Sequence, residues 1–510
     1  MYKSVLDYML KVVEEKRDDV AVIHNSESIT FSELENKSNR LAIFLRSNYS
    51  INVPVAVFLP KEINAVVADI GILKANCPFM NLDIKTPKER IHNILKQVQP
   101  QLIISRKDIY LDADNNGIDA DWIDIEDVLN SKTDEGISDC ERSYIDTDLM
   151  CIINTSGSTG TPKSVALNHR SFIDFMRWSD EEYNFDGSEV IGSLSPAVFD
   201  IFVFELCMMM YKGSKIVLFD NTLALFPVKL LQEMNAQKVN FIFWVPSIMV
   251  NIANMDLLHR IPLTSLKTVW FAGEVFPTKQ FCYWYDNLPD VDFSNLYGPI
   301  EITLDCTFYR INERPNEHEA LPIGIACNNT DVLILNEDNK KCKVEEEGEL
   351  CVRGTSLAVG YYNNPEKTQL AFVQNPLNDK YPELIYRTGD VVYKDADGII
   401  HFKGRKDSLI KHLGYRIELG EIEHVILNEI RIIKYGCAVY DYENKKIVLF
   451  YEGDRIPDKD FRSSIKQYFP EYMIPGVYIN KEELPRNNNG KIDRNMLAEE
   501  VKNGYSIEDT

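Results

Sequence analysis

The sequence predicts an α/β fold in two parts, a large multi-sheet N-terminal domain followed by a small α+β C-terminal domain. Three observations carry that expectation. Through about residue 400, short β-branched runs alternate with longer helical ones. Beyond FKGRKD (402–407) the pattern changes, and 510 residues exceed what one ordinary core organises.

The strand-then-helix units follow in order. VPVAVFLP (53–60) precedes KEINAVVADIGILKAN, LMCIIN (149–154) precedes TSGSTGTPKS, and VNFIFWVP (239–246) precedes another apolar helix-like stretch. Parallel neighbours need a crossover and a helix supplies it, so this alternation implies largely parallel sheets. IFVFELCMMMY (201–211) is the longest apolar run, but Glu205 interrupts it. It falls far short of the roughly 20 residues of a membrane span and reads as a buried helix. Past residue 406 come a helix starting near Glu418, a hairpin over CAVYDYENKKIVLFYEG (437–453) and a helix at DKDFRSSIKQYF (458–469). No repeat or low-complexity linker intervenes, so domains 1–405 and 406–510 are expected to meet at a very short hinge.

Composition narrows the function classes. With 45% hydrophobic and 26% charged residues, the chain reads as a globular protein and not a disordered or fibrous one. The N-terminal MYKSVLDYMLKVVEEKRDD lacks the uninterrupted apolar segment of a signal peptide, so a cytoplasmic location without a membrane partner is expected. A formal charge of -23 argues against nucleic acid as a partner, because phosphate backbones are held mainly by Lys and Arg. Ten cysteines without a CxxC pair suggest buried thiols, neither a zinc site nor a disulfide framework. The acidic stretch between Asp108 and Asp148 reads as solvated surface.

Chemistry concentrates first in TSGSTGTPKS (155–164), which follows an apolar strand. Gly157 and Gly160 let the backbone bend and bring its NH groups close to an anion, while Thr155, Ser156, Ser158, Thr159 and Lys163 add donors and positive charge. That is the chemistry of a phosphate cradle. The Walker A spacing is not met, because Gly157, Gly160 and Lys163 are separated by two residues each.

TSGSTGTPK resembles the signature loop of the adenylate-forming superfamily, which contains acyl-CoA synthetases, luciferases and the adenylation domains of nonribosomal peptide synthetases. The superfamily's other motifs have counterparts in order: TFSELENKSNRLA (30–42), LKANCPFMNLD (73–83), FDIF (199–202), NLYGPIE (295–301), GELCVRGTSLAVGYY (348–362), YRTGD (386–390), GRKDSLIKHLGYRIELGEIE (404–423) and LPRNNNGKIDR (484–494). The resemblance covers essentially the whole chain. It implies an ATP-dependent ligase that joins a carboxylate to the α-phosphorus of ATP and then passes the acyl group to a thiol.

By that resemblance the cradle residues embrace the phosphates of ATP, and Glu301 helps hold Mg²⁺. In isolation Glu301 would read equally as an acid favoured by a helix N-terminus. Adenine would stack on Tyr297, with Asn295 reaching its amino group and Gly298 alongside. Asp390 would take the ribose hydroxyls beside Arg405, and Phe402 stands where a tyrosine often contacts adenine. Lys491 matches the lysine that bridges the substrate carboxylate and the α-phosphate as negative charge develops. It would be brought in by rotation of the small domain about Asp407. The segment Lys411 to Tyr415 would then swing inward, Gly414 leaving room for a pantetheine arm.

Asp200 bears on the substrate class. Standing alone it would cap the helix that follows, but amino-acid adenylation domains carry an aspartate there to pair with the ammonium group. The other pocket positions implied are Ile201, Phe204, Phe243, Trp270, Ala272, Gly273, Leu296, Leu304 and Asp305. Two phenylalanines and a tryptophan leave space for a small side chain, and Asp305 suits a hydroxyl or a short amine. Glycine, alanine of either hand and serine are the candidates, and FAGEVFP (271–277) resembles D-alanine carrier-protein ligases.

The chain stops 16 residues after Arg494, so the phosphopantetheine is expected on a freestanding carrier protein. Ser164 and Ile300 depart from a common glycine and threonine, yet no charge the chemistry needs is lost. Two other readings stay open: an acyl-CoA or aryl-CoA synthetase in which Asp200 only caps its helix, and a noncatalytic adenylate-binding protein.

Overall fold

The structure, a computed structural model, describes residues 3–110, 120–131, 144–155, 162–405, 409–430, 432–433, 435–486 and 492–504. The chain forms two compact units. One comprises residues 1–84, 98–153 and 165–404, the other residues 85–97, 154–164 and 405–510.

The first unit is α/β with three sheets. In the nine-stranded sheet the order runs Ile325–Ala326, Thr307–Ile311, Asp292–Tyr297, Thr268–Phe271, Phe241–Trp244, Val190–Ser193, Lys215–Leu218, Val20–His24, Glu27–Thr30. Strands from Asp292–Tyr297 to Val20–His24 are parallel, and antiparallel neighbours close both ends. The seven-stranded sheet places Val55–Val57 between Phe79–Asn81 and Leu102–Ser105, all parallel.

Local chemistry explains the crossover helices. Phe31–Asn48 begins with a capping box: Thr30 Oγ1 accepts from the Glu33 amide at 3.2 Å, and Glu33 Oε2 accepts from the Thr30 amide at 2.9 Å. Ile63–Lys74 is buried on nearly every side, as expected of a helix apolar all round. It packs so closely on the Phe31–Asn48 helix that a Cβ at Gly71 would sit 2.8 Å from Leu41 Cδ2. The run IFVFELCMMMY lies in the buried helix Asp200–Lys212, which ends at Gly213 with φ of 73°. A left-handed terminus of that kind favours glycine.

The third sheet departs from the expected alternation. Thr330–Leu335, Gly348–Gly354, Leu384–Lys394, Phe372–Gln374 and Ile400–Arg405 form a five-stranded sheet whose registered pairs are antiparallel. Tight Asx turns replace helical crossovers. Asn336 Oδ1 accepts from the amides of Asp338 and Lys340, and Asp395 Oδ1 from those of Asp397 and Ile399.

The second unit contains the hairpin Leu409–His412 and Tyr415–Glu418, which turns at Leu413 and Gly414, both with positive φ. It also has a three-stranded sheet of Tyr435–Asp441, Lys446–Glu452 and Val477–Lys481. Its helices include Leu419–His424 and Asp458–Ile465, the latter ending before the expected residue 469. The core gathers Ile417, Ile422, Leu449, Phe461 and Met473. Described cysteines are free thiols, all buried except the half-buried Cys342. Among the described residues, no helix is long and apolar enough to cross a membrane.

One core group is out of character. Asp69 is fully buried in the Ile63–Lys74 helix, with Oδ2 accepting from Asn81 Nδ2 at 3.0 Å. Burial pushes its carboxyl up to about 8. The unfolded chain releases this proton near pH 4 while the fold keeps it, so the group's contribution is complete below pH 4 and is lost as pH rises towards 8. Asp69→Asn removes the titration and keeps the shape. Its thermal stability should exceed wild type by a margin growing by about 1 kcal/mol per pH unit between pH 5 and 7.5. Thermal unfolding across that range checks the slope, and a margin independent of pH would contradict it.

Candidate functional site

In the first unit, the strand Asp292–Tyr297 delivers Asn295, Leu296 and Tyr297 to its carboxyl end. Open α/β sheets bind ligands at that end. The Asn295 side-chain amide donates to the Pro322 carbonyl at 2.7 Å. A carbonyl can only accept, so the amide's own oxygen is turned the other way, the polarity an amino group requires. The Tyr297 hydroxyl donates to Asp390 Oδ2 in a buried hydrogen bond, and its ring centroid lies 6.3 Å from that of Phe402. Tyr297, Asp390 and Phe402, three of the expected adenosine contacts, are therefore neighbours.

Asp390 is held from behind. Its amide donates to Thr388 Oγ1 at 3.0 Å, and that hydroxyl donates to the Leu350 carbonyl at 2.7 Å. Gly389, at φ of 74°, donates to Glu349 Oε1 at 3.2 Å, while Arg387 grips Glu349 Oε2. The RTGD strand is thus fastened to Gly348–Gly354 through Arg387, Thr388 and the Gly389 amide.

After Tyr297 the chain makes a short 3₁₀ turn, Ile300–Ile302. Glu301 is fully buried there and accepts from the Tyr361 hydroxyl at 2.8 Å, while its carbonyl accepts from the Ala358 amide at 2.9 Å. Thr303 and Leu304 follow with φ of 53° and 64°. A β-branched residue at positive φ is costly and is kept only where its surroundings demand it. The demand comes from packing against Gly298, where a Cβ would lie 2.5 Å from Asp305 Cα and closer still to the Leu304 carbonyl oxygen. This turn leaves Asp305 enclosed at 3% exposure.

The expected pocket residues form a solid aromatic wall. Phe243 and Trp270 are register partners on adjacent strands, and Phe204 stacks on Trp270 with centroids 5.3 Å apart. Phe243 meets both rings edge-on, at 5.7 and 5.6 Å, and all three side chains are fully buried. Ala272 and Gly273 continue from the Trp270 strand, Gly273 at φ of 90°. Asp200 is partly exposed and is the first residue of its helix; the cap position belongs to Phe199, with no side-chain cap bond. The Asp200 carboxylate accepts from the Ile201 amide at 3.0 Å, next to the positive end of the helix.

In the second unit, Thr155 ends the strand Leu149–Thr155, and Arg405 ends the strand Ile400–Arg405. Lys163 is half-buried and ion-paired with Glu418. Ser164 Oγ donates to Asn154 Oδ1 at 2.7 Å, tying together the strands on either side of the cradle loop. Ser156, Gly157, Ser158, Thr159, Gly160, Asp407 and Lys491 lie outside the described residues. Sequence reading did not single out Tyr361 or Glu418. Both stand inside recognised motifs, GYY and GYRIE, and only the fold shows which charges they meet.

The family described as AMP-binding enzyme matches residues 10–362. Zwittermicin A synthase ZmaJ of Bacillus cereus is 31% identical over 498 residues, spanning 94% of this chain and 92% of that protein. Gramicidin S synthase 2 of Brevibacillus brevis is 32% identical over 501 residues, which is 98% of this chain but only 11% of the larger synthase. In structure, NpsA-ThdA, an artificially fused adenylation-PCP di-domain protein from Klebsiella oxytoca, matches with a TM-score of 0.81 over 93% of each chain. At 20% identity that likeness speaks to the fold alone. The match over residues 10–362, with a relative 31% identical over 94% of the chain, makes this chain a member of the AMP-binding enzyme family, the AMP-forming ligases.

Proposed function

We propose that the protein activates a small amino acid as its adenylate, releasing pyrophosphate, and then transfers the aminoacyl group to the phosphopantetheine thiol of a separate carrier protein. Glycine, alanine of either hand and serine are the candidate substrates. The observation that carries the amino-acid reading is Asp200. It leads its helix without capping it, is partly exposed, and sits at the end of the helix where the dipole favours negative charge. A carboxylate so placed is suited to an ammonium group and gives a fatty or aryl acid nothing to bond. The fully buried Phe204, Phe243 and Trp270 support a short side chain. The carrier reading rests on the resemblance of the sequence motifs to amino-acid adenylation domains.

In the first step a substrate carboxylate oxygen bonds to the α-phosphorus of ATP as the bond to the pyrophosphate oxygen breaks. In the second the carrier's thiolate sulfur attacks the acyl carbon and AMP leaves. Both partners of the first step are anions, so fixed positive charge and geometry dominate the barrier. Lys163 and Lys491 are the charges assigned to it. Tyr297, Phe402, Asn295 and Asp390 position the nucleoside, and closure over the mixed anhydride excludes water. Magnesium, which keeps most of its ligands as water and phosphate oxygen, needs few protein carboxylates. Glu301 is the residue assigned to hold it. Its chemistry there is charge neutralisation at the phosphates.

ATP–pyrophosphate exchange across amino acids of both hands and across fatty and aryl acids tests the proposal. Exchange should be driven by a small amino acid, and exchange driven only by non-amino acids would overturn it. Lys491→Ala should slow adenylate formation about 100-fold or more with ATP affinity retained, as seen in single-turnover assays with an equilibrium nucleotide titration. Asp200→Ala should raise the amino-acid KM and erase the preference for the amino acid over its desamino analogue. Gly298→Ala forces the Leu304–Asp305 backbone to move. It should lower kcat/KM for exchange about tenfold or more, with the fold retained by circular dichroism.

A further inference from the structure

One lysine reaches across the first unit for reasons the proposed chemistry does not use. Lys61 follows the strand Val55–Val57 of the seven-stranded sheet, and its Nζ donates to the carbonyls of Ser193 at 3.1 Å and Ser195 at 3.0 Å. Ser193 is the last residue of Val190–Ser193 in the nine-stranded sheet. The ammonium therefore joins the carboxyl ends of strands from two different sheets, the ends at which α/β folds bind ligands. From Ser195 the chain runs directly to Asp200, with one further tie from the Phe199 amide to the Pro196 carbonyl at 3.0 Å.

The countercharge comes from the same helix as Asp200. Glu205 is fully buried, and neither of its oxygens has a donor in hydrogen-bond geometry among the described residues. Lys61 meets its charge through space, and the Ser193 hydroxyl faces it. Burial acts against both charges, lowering the lysine and raising the acid. Keeping two charges in such a place is a poor way to gain stability, since a well-packed apolar pair does as well or better. What the lysine supplies that an apolar side chain cannot is a fixed path for two carbonyls.

We infer that Lys61, with Glu205 as its countercharge, is a positioning residue for Asp200: it fixes the Ser193–Ser195 segment and the helix start so that the aspartate meets the substrate ammonium. The inference rests on the reading of Asp200 as the ammonium partner. A variant in that segment acts on amino-acid recognition and not on the nucleotide, whose proposed contacts lie on the other strands.

The test is steady-state exchange with the full-length protein as Lys61→Met, Lys61→Arg, Lys61→Met/Glu205→Gln and Asp200→Ala. Lys61→Met should raise the amino-acid KM about tenfold and shrink discrimination against the desamino analogue, with the ATP KM within twofold of wild type. Lys61→Arg should recover most of both. The double variant leaves no unpaired buried charge, so it carries the same test if Lys61→Met fails to fold; its thermal midpoint should match wild type while the amino-acid KM stays high. Equal rises in both KM values, or a normal amino-acid KM in a folded double variant, would overturn the inference. If Asp200→Ala leaves discrimination unchanged, the underlying reading of Asp200 fails instead; if it abolishes discrimination while the Lys61 variants do not, only the inference fails.

Discussion

Three sheets of the first unit are tied to one short loop, and the loop has room only because residue 298 lacks a side chain. Tyr297 is the last residue of an interior strand of the nine-stranded sheet and bonds Asp390 from the five-stranded one. Glu301 takes the hydroxyl of Tyr361, which lies on the edge strand of the seven-stranded sheet. Each such bond is worth about 1 kcal/mol net, but leaving its buried partner unsatisfied costs about 1 to 3 kcal/mol. The three sheets are therefore coupled in register where the residues proposed to hold the nucleoside gather. Displacing the loop would break both ties together.

The substrate end is organised by contrast. An aromatic wall of Phe204, Phe243 and Trp270 makes one boundary rigid and dry, while Asp200 brings a carboxylate to a helix start. Apolar packing cannot aim a charge, because dispersion and hydrophobic forces have no direction. Direction comes from hydrogen bonds: the helix amides at Asp200, and the lysine that fastens the preceding segment.

Much of this was legible in the residues. The capping box at Thr30 and Glu33, the uninterrupted apolar face of Ile63–Lys74 and the glycine that ends the FDIF helix are local signals, and each element formed where its signal lies. The antiparallel sheet after Thr330 was not legible. Its identity rests on Asx turns at Asn336 and Asp395, which look like ordinary loop residues until the strands they reverse are known. The motifs located the residues proposed for the site but not the bonds among them. Tyr297 and Asp390 each stood in a motif, yet the hydrogen bond between them joins two sheets across 93 residues of chain. Lys61 and Ser193, 132 residues apart, carried no pattern at all.

The left-handed pair Thr303 and Leu304 has an evolutionary corollary. Since the trace of that loop is imposed by its close approach to residue 298, the orientation of the Cα–Cβ bond at Asp305 is inherited unchanged whatever side chain stands there. Chemical character at that spot can drift by single codon changes without the main chain being redrawn, so on the proposed reading one scaffold can sample many guests while the Tyr297–Asp390 tie stays as it is.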